Sequence, residues 1–195
     1  MEALIKKVVV IGPESTGKST LAQSLAEHFK TVWCKEYARE YLLEHGTDYS
    51  FNDLLLIAKG QLALEDAAAQ SVIINCMEGL AKDRVASEQE RSNLLFIDTD
   101  MYVMKVWCEF VFKDCHAFIE EQIKQRKYDL YLLCNIDLPW VADELREYPD
   151  EQPRIELFGI YKSLLEQQST PWVLISGDYE ERRLAAIKAV EGLVG

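Results

Sequence analysis

Basic residues are scarce in this chain, with 21 Lys and Arg against 33 Asp and Glu and a formal net charge of −12. A protein that follows a nucleic-acid backbone needs clustered cations to displace counterions, so DNA and RNA are not expected partners. Cysteine is present but unpatterned: Cys34, Cys76, Cys108, Cys115 and Cys134 make an odd total with no CxxC pair. That arrangement suggests neither a zinc site nor a disulfide framework and suits reduced, mostly buried thiols in the cytoplasm. The histidines, His28, His45 and His116, lie too far apart to read as a ligand set. No segment reaches the roughly 18 consecutive apolar residues of a membrane span, and the apolar run near the N-terminus is too short for a signal sequence. A soluble protein without membrane contacts is the expectation. Repeats and low-complexity tracts are also missing, and no NKxD signature for guanine occurs.

What the chain has instead is ordinary globular composition, 49% hydrophobic and 28% charged, over 195 residues, a length suited to one α/β domain spanning 1–195. Five short apolar runs, Val8 to Ile11, Thr31 to Lys35, Leu94 to Ile97, Leu130 to Cys134 and Trp172 to Ile175, read as strands covered on both faces. Helical patterns separate them. Residues 51–92, without proline, predict one long helix or two stacked ones, and 101–126, 155–168 and 179–193 predict the others. The alternation implies a doubly wound five-stranded parallel sheet flanked by helices, and with Gly12, Gly17, Lys18 and Ser19 in a G-x-x-x-x-G-K-[ST] loop after the first strand the expected fold is that of a P-loop NTPase. Residues 135–154 break the pattern with three of the chain's five prolines and dense charge, and are expected to form a mobile excursion over the site.

The stretch VVVIGPESTGKSTLAQSL, residues 8–25, places a Gly-rich loop between a strand and a helix, and Gly12, Gly17, Lys18 and Ser19 fit G-x-x-x-x-G-K-[ST]. Backbone N–H groups of such a loop, from Gly12 through Glu14, Ser15, Thr16 and Gly17 to Thr20, wrap the phosphates of ATP while the helix points its positive end at them. Lys18 is expected on the β- and γ-phosphates and the Ser19 hydroxyl on Mg²⁺. LLFIDTD, 94–100, supplies a strand-end carboxylate, Asp98, as the second Mg²⁺ ligand. Asp100 either points into the same cleft or caps the next helix.

CKEYAREY, 34–41, follows the second strand, so Glu36 should emerge opposite the phosphate loop, where it can accept hydrogen bonds from sugar hydroxyls and take the proton of the attacking one. Tyr37 belongs to the same acceptor-side segment. Arg39 would orient Glu36 or bind phosphate, or simply form a surface i,i+3 pair with it. In the excursion, Asp137, Trp140, Asp143, Arg146 and Arg154 are candidates for closing over both substrates, with Arg146 preferred for the transition state. The alternative for Arg146 is a solvated charge, and Trp140 is either a packing anchor or a stacking surface. SGDYEERR, 176–183, would present Arg182 or Arg183 to the adenine, or be a plain helix start capped by Asp178.

Taken together, GPESTGKSTL, EYAREY, FIDTD, YDLYLL and PWVADELR resemble, in order and spacing, the ribosylnicotinamide kinase domain of the NadR-type NAD-biosynthesis proteins, from about Lys7 to the last helix. The resemblance implies phosphorylation of the nicotinamide riboside 5′-hydroxyl by ATP and Mg²⁺. It carries family roles onto Gly12, Gly17, Lys18 and Ser19 for phosphate, Glu36 and Arg39 for the acceptor, Asp98 and Asp100 near metal and nucleoside, Asp143 and Arg146 in the lid, and Arg182 near the base. Glu144 departs from the glycine often found in that lid. No HxGH signature is present, so adenylyl transfer and DNA-bound regulation are not expected. Another small-molecule kinase, or a nucleotide-binding regulatory module, are the competing readings.

Overall fold

Successive residues of a strand point to opposite faces, and here that alternation assigns each apolar run to two separate layers. In the computed structural model, which describes residues 5–82, 93–145 and 150–194, β1 (Lys6–Ile11) sends Val8 and Val10 to one side and Val9 and Ile11 to the other. β3 (Leu94–Asp98) and β4 (Leu130–Cys134) divide in the same way, Phe96 and Leu132 opposite Ile97 and Leu133. With β2 (Val32–Cys34) and β5 (Trp172–Ile175) they form a parallel sheet in the order β2-β3-β1-β4-β5. The first layer is covered by α1 (Lys18–His28) and α7 (Tyr179–Val194), the second by α3 (Phe51–Lys82), α4 (Met101–Phe112) and α6 (Glu151–Glu166). The expected five-stranded P-loop architecture is therefore the observed one. A third apolar cluster joins α2 (Tyr37–His45) and α5 (Ala117–Gln125) to α3 and α4 beside the site.

Two boundaries differ from the sequence reading. The region 101–126 is two helices, because Lys113 takes a left-handed conformation (φ 58°) and His116 stacks on Phe51 at 3.8 Å while bonding its carbonyl oxygen. No glycine or proline marks that break, so only the tertiary contact reveals it. α6 begins at Glu151 rather than 155, and Pro153 is tolerated because the first turn of a helix lacks N–H partners anyway. The predicted helical stretch beyond Lys82, 83–92, lies outside the described residues.

α3 is fastened to the end of the sheet away from the site by a buried charge. Glu65, fully buried, accepts hydrogen bonds from Lys7 (3.0 Å), Arg126 (3.1 Å) and Tyr128 (2.9 Å). A buried carboxylate is tolerable only with such partners, and removing one would leave the others uncompensated.

Candidate active site

The phosphate loop takes its shape from two glycines. At Gly12, φ is 145° and a Cβ would stand 2.8 Å from the Cys134 carbonyl oxygen, so the loop can approach β4 only without a side chain. Gly17 is left-handed (φ 77°) and turns the chain into α1, whose first turn carries no acidic side chain. The unpaired N–H groups of that turn thus face the loop with a positive field. The Thr16 hydroxyl bonds the Pro13 carbonyl (2.8 Å), and the Lys18 ammonium donates to the same oxygen (2.8 Å) from the mouth of the loop. From behind, Arg182 braces the turn: it is buried and donates to the carbonyls of Thr16 (2.9 Å), Gly177 (2.8 Å) and Asn135 (3.0 Å) and to the Asp137 carboxylate. Its guanidinium is consumed in holding the loop together, and Asp178 caps α7 through the N–H groups of Glu180 and Glu181.

Register places the acids. Val10 of β1 pairs with Asp98, so the Asp98 carboxylate leaves the sheet two residues before Gly12 would be reached on the neighbouring strand. It is wholly buried, and neither oxygen has a hydrogen-bond partner. Burial and the nearby Glu36 charge push its pKa up to about 7, against the pull of Lys18 and the Ser19 hydroxyl. An unsatisfied buried carboxylate beside Ser19 and a phosphate loop is the donor set that suits Mg²⁺, which takes one or two protein oxygens and completes its shell with phosphates and water. Among the described residues, no group of three His, Cys, Asp or Glu forms a self-sufficient metal cage. Asp100 resolves the other way. It caps α4, accepting from Tyr102 N (3.0 Å) and Val103 N (3.3 Å), and takes the Tyr131 hydroxyl at 2.8 Å.

Glu36 sits at the N-terminus of α2 and takes the Thr99 hydroxyl at 3.5 Å, Thr99 itself being held in a left-handed conformation (φ 78°) that β-branched residues rarely adopt. The residue that fixes this corner went unread in the sequence. Gln61 of α3, buried, accepts from Tyr37 N (2.7 Å) and donates to the carbonyls of Lys35 (3.2 Å) and Asp98 (3.3 Å) and to the Cys34 thiol (3.4 Å). It clamps the residues on both sides of Glu36 and the backbone of Asp98 at once. One of two glutamines in an Ala- and Leu-rich helix, it carries no local signal of that role.

A cavity of about 250 Å³ joins these parts. The phosphate loop lines it with Glu14, Ser15, Thr16, Lys18, Ser19 and Thr20, and Glu36, Arg39 and Asp143 line it as well. The apolar and aromatic part of the lining includes Val103, Trp107 and Phe110 from α4 and Leu157 and Tyr161 from α6. Spacings of i, i+4 and i+7 on α4 put its three on one face, an apolar spacing that in the sequence marks only a helix. Trp107 is fixed by its N–H to the Tyr49 hydroxyl (2.9 Å).

The excursion lies down on the loop. Trp140 donates to Glu14 (3.2 Å) and the Val141 N–H to the Ser15 hydroxyl (3.0 Å). Arg39 does not pair with Glu36: it grips Asp143 with two bonds of 3.1 Å, joining α2 to the excursion across the cavity mouth. Tyr37 packs against Gly60 and Tyr41, off the cavity wall. Arg146 lies outside the described residues.

Comparison with known proteins agrees with this geometry. The family model for an AAA domain, AAA_28, matches residues 7–182. The trifunctional NAD biosynthesis/regulator protein NadR of Escherichia coli K12 is 29% identical over 98% of this chain, which spans 43% of that relative's length. A crystal structure of a NadR protein in complex with NR superposes with a TM-score of 0.70 at 22% identity, covering 97% of this chain and 52% of that one. One of NadR with NAD and AMP-PNP gives 0.66 at 22%, covering 97% and 49%. Thymidylate kinase of Ehrlichia chaffeensis gives 0.61 at 12%, covering 95% and 98%, a likeness of fold alone. No helix among the described residues is long and apolar enough to cross a membrane. With the phosphate loop, the sheet order and the family match in agreement, the chain belongs to the AAA_28 family of P-loop AAA domains, and it is related to the NadR proteins.

Proposed function

We propose that this chain is an ATP-dependent kinase that phosphorylates the 5′-hydroxyl of nicotinamide riboside, giving nicotinamide mononucleotide and ADP. One observation carries the reading: a single cavity is lined by the phosphate loop, by a carboxylate, Glu36, and by the aromatic side chains of Trp107, Phe110 and Tyr161. A donor needs the first, a hydroxyl nucleophile the second, and a flat cationic ring such as a pyridinium suits the third. The names of the relatives, NadR with NR and NadR with AMP-PNP, support that choice of substrates.

In this reading the hydroxyl oxygen forms a bond to the γ-phosphorus as the bond to the ADP oxygen breaks, and its proton passes to Glu36. Lys18, freed from the Pro13 carbonyl, and the N-terminal amides of α1 hold the β- and γ-phosphates. Ser19 and Asp98 would hold Mg²⁺, which supplies neutralisation of the phosphate charge when bound. Arg39 and Asp143 close the mouth and keep water from competing with the acceptor.

The test is ADP release with ATP, Mg²⁺ and nicotinamide riboside, with nicotinic acid riboside, thymidine and deoxyadenosine in parallel and the product identified by mass. Acceptor-dependent ADP and a mononucleotide product are expected, with Lys18→Ala lowering turnover by about 10²-fold or more while staying folded. ADP release that no nucleoside stimulates would refute the kinase reading, and stimulation by thymidine alone would refute the acceptor.

A further inference from the structure

We propose that Thr99 is a positioning residue for Glu36, its hydroxyl holding the carboxylate that takes the acceptor's proton. The proposal rests on the kinase reading above, in which Glu36 is the base. A carboxylate serves as a base only when a further group fixes its orientation. Arg39, which the sequence offers for that task, is engaged with Asp143. Glu36 stands at the N-cap of α2, yet its side chain caps no N–H group there. Among the described residues one hydrogen bond reaches its carboxylate, from the Thr99 hydroxyl to Oε1 at 3.5 Å. Catalytic hydrogen bonds are often long before substrate arrives and tighten with it. Glu36 is half-buried and lines the cavity. Thr99 is 1% exposed and is not among the lining residues, so it acts through Glu36 and not on a substrate.

The backbone supplies the second part of the argument. Thr99 is held at φ 78°, and among the described residues it is the only β-branched side chain on a left-handed backbone. Glycine or asparagine would adopt that conformation at less cost. The turn itself separates two acids. Residues i and i+2 of a strand share a face, so a continued β3 would set Asp98 and Asp100 side by side on the face of Phe96, towards α1. The turn at Thr99 instead carries Asp100 to the opposite layer, where it caps α4 and takes the Tyr131 hydroxyl. Asp98 is left beside Ser19 and Lys18. A left-handed glycine would part the acids equally well. What threonine adds is a hydroxyl, and among the described residues its hydrogen-bond partner is Glu36.

Two variants isolate that hydroxyl: Thr99→Ser and Thr99→Ala both lose the γ-methyl and differ in the oxygen alone. Both are compared with wild type, as the full chain, by thermal melting and by ADP release with ATP and nicotinamide riboside each varied. Thr99→Ser should keep kcat within about threefold of wild type, and Thr99→Ala should lower it about ten- to a hundredfold with both KM values within about twofold. A misplaced base slows the chemical step without weakening the binding of either substrate. The two variants should melt within about 2 °C of each other, since they differ by one long bond to a half-buried group. Equal kcat in the two variants, a loss carried by KM instead of kcat, or an alanine variant that melts well below the serine one would overturn the proposal and leave the kinase reading standing. A wild type whose ADP release no nucleoside stimulates would refute the kinase reading and this proposal with it.

Discussion

Gln61→Met tests whether the acidic corner is held from α3. Methionine keeps the length and most of the volume of glutamine, so packing in the helix interface survives while four polar contacts are lost, those with Tyr37 N, Lys35 O, Asp98 O and the Cys34 thiol. The bond to Tyr37 is short at 2.7 Å and the other three are long, at 3.2 to 3.4 Å. At about 1 kcal/mol for a net hydrogen bond, and 1–3 kcal/mol for a buried group left unpaired, the loss should be about 2–4 kcal/mol. For a domain of this size that is a fall of about 5–15 °C in melting temperature. The effect on turnover should be larger than stability alone explains, because displacing a reacting group by about 1 Å can cost on the order of 10²-fold. The assay is coupled ADP release at saturating ATP and varied acceptor, at a temperature where melting shows the variant fully folded. A Gln61→Met protein that melts within a degree or two of wild type and turns over at the wild-type rate would refute the argument that this side chain positions Glu36.

Further expectations follow from the same contacts. In Gly60→Ala the new Cβ would stand 2.1 Å from Tyr37 Cε1, so the ring and the start of α2 must move. A stability loss of about 1–3 kcal/mol from overpacking is expected, in spite of the better helix former, together with a raised acceptor KM. An unchanged KM would show that α2 does not set the acceptor site. Metal-free protein should lose stability as pH rises from about 4 to 7 and level off above, because Asp98 and Asp100 have their pKa raised to about 7 by burial. The sign is fixed by proton count: between the unfolded and folded values the native state binds more protons than the unfolded one, so raising the pH favours unfolding. Asp98→Asn should flatten part of that slope and abolish the Mg²⁺-induced rise in melting temperature measured with ADP present. A slope unaltered by the substitution would contradict the buried, unpaired state of this carboxylate.

How much of this was legible beforehand depended on whether the determinant is local. The phosphate loop was, because a glycine that must lie against Cys134 and one that must turn left-handed into α1 leave a fixed spacing around Lys18 and Ser19. The five strands were, because residues buried on both faces of a parallel sheet form short unbroken apolar runs. Asp100 was legible only as an alternative, since an aspartate before a helix reads the same whether it caps or binds, and here it caps, as Asp178 does at α7. Arg182 could be placed near the loop by its position after β5, but whether it faces a ligand or the loop's own carbonyls was decided by packing.

The sequence by itself determined the class of fold, the anion cradle and the segment that covers it, because each is written in backbone geometry, strand periodicity or local composition. Only the tertiary structure decided which side chains meet: Gln61 beside Glu36, Arg39 with Asp143, and Trp107 and Tyr161 in the lining of one cavity. Those encounters join residues tens of positions apart, brought to one end of the sheet by parallel crossovers, and no spacing within any one segment encodes them.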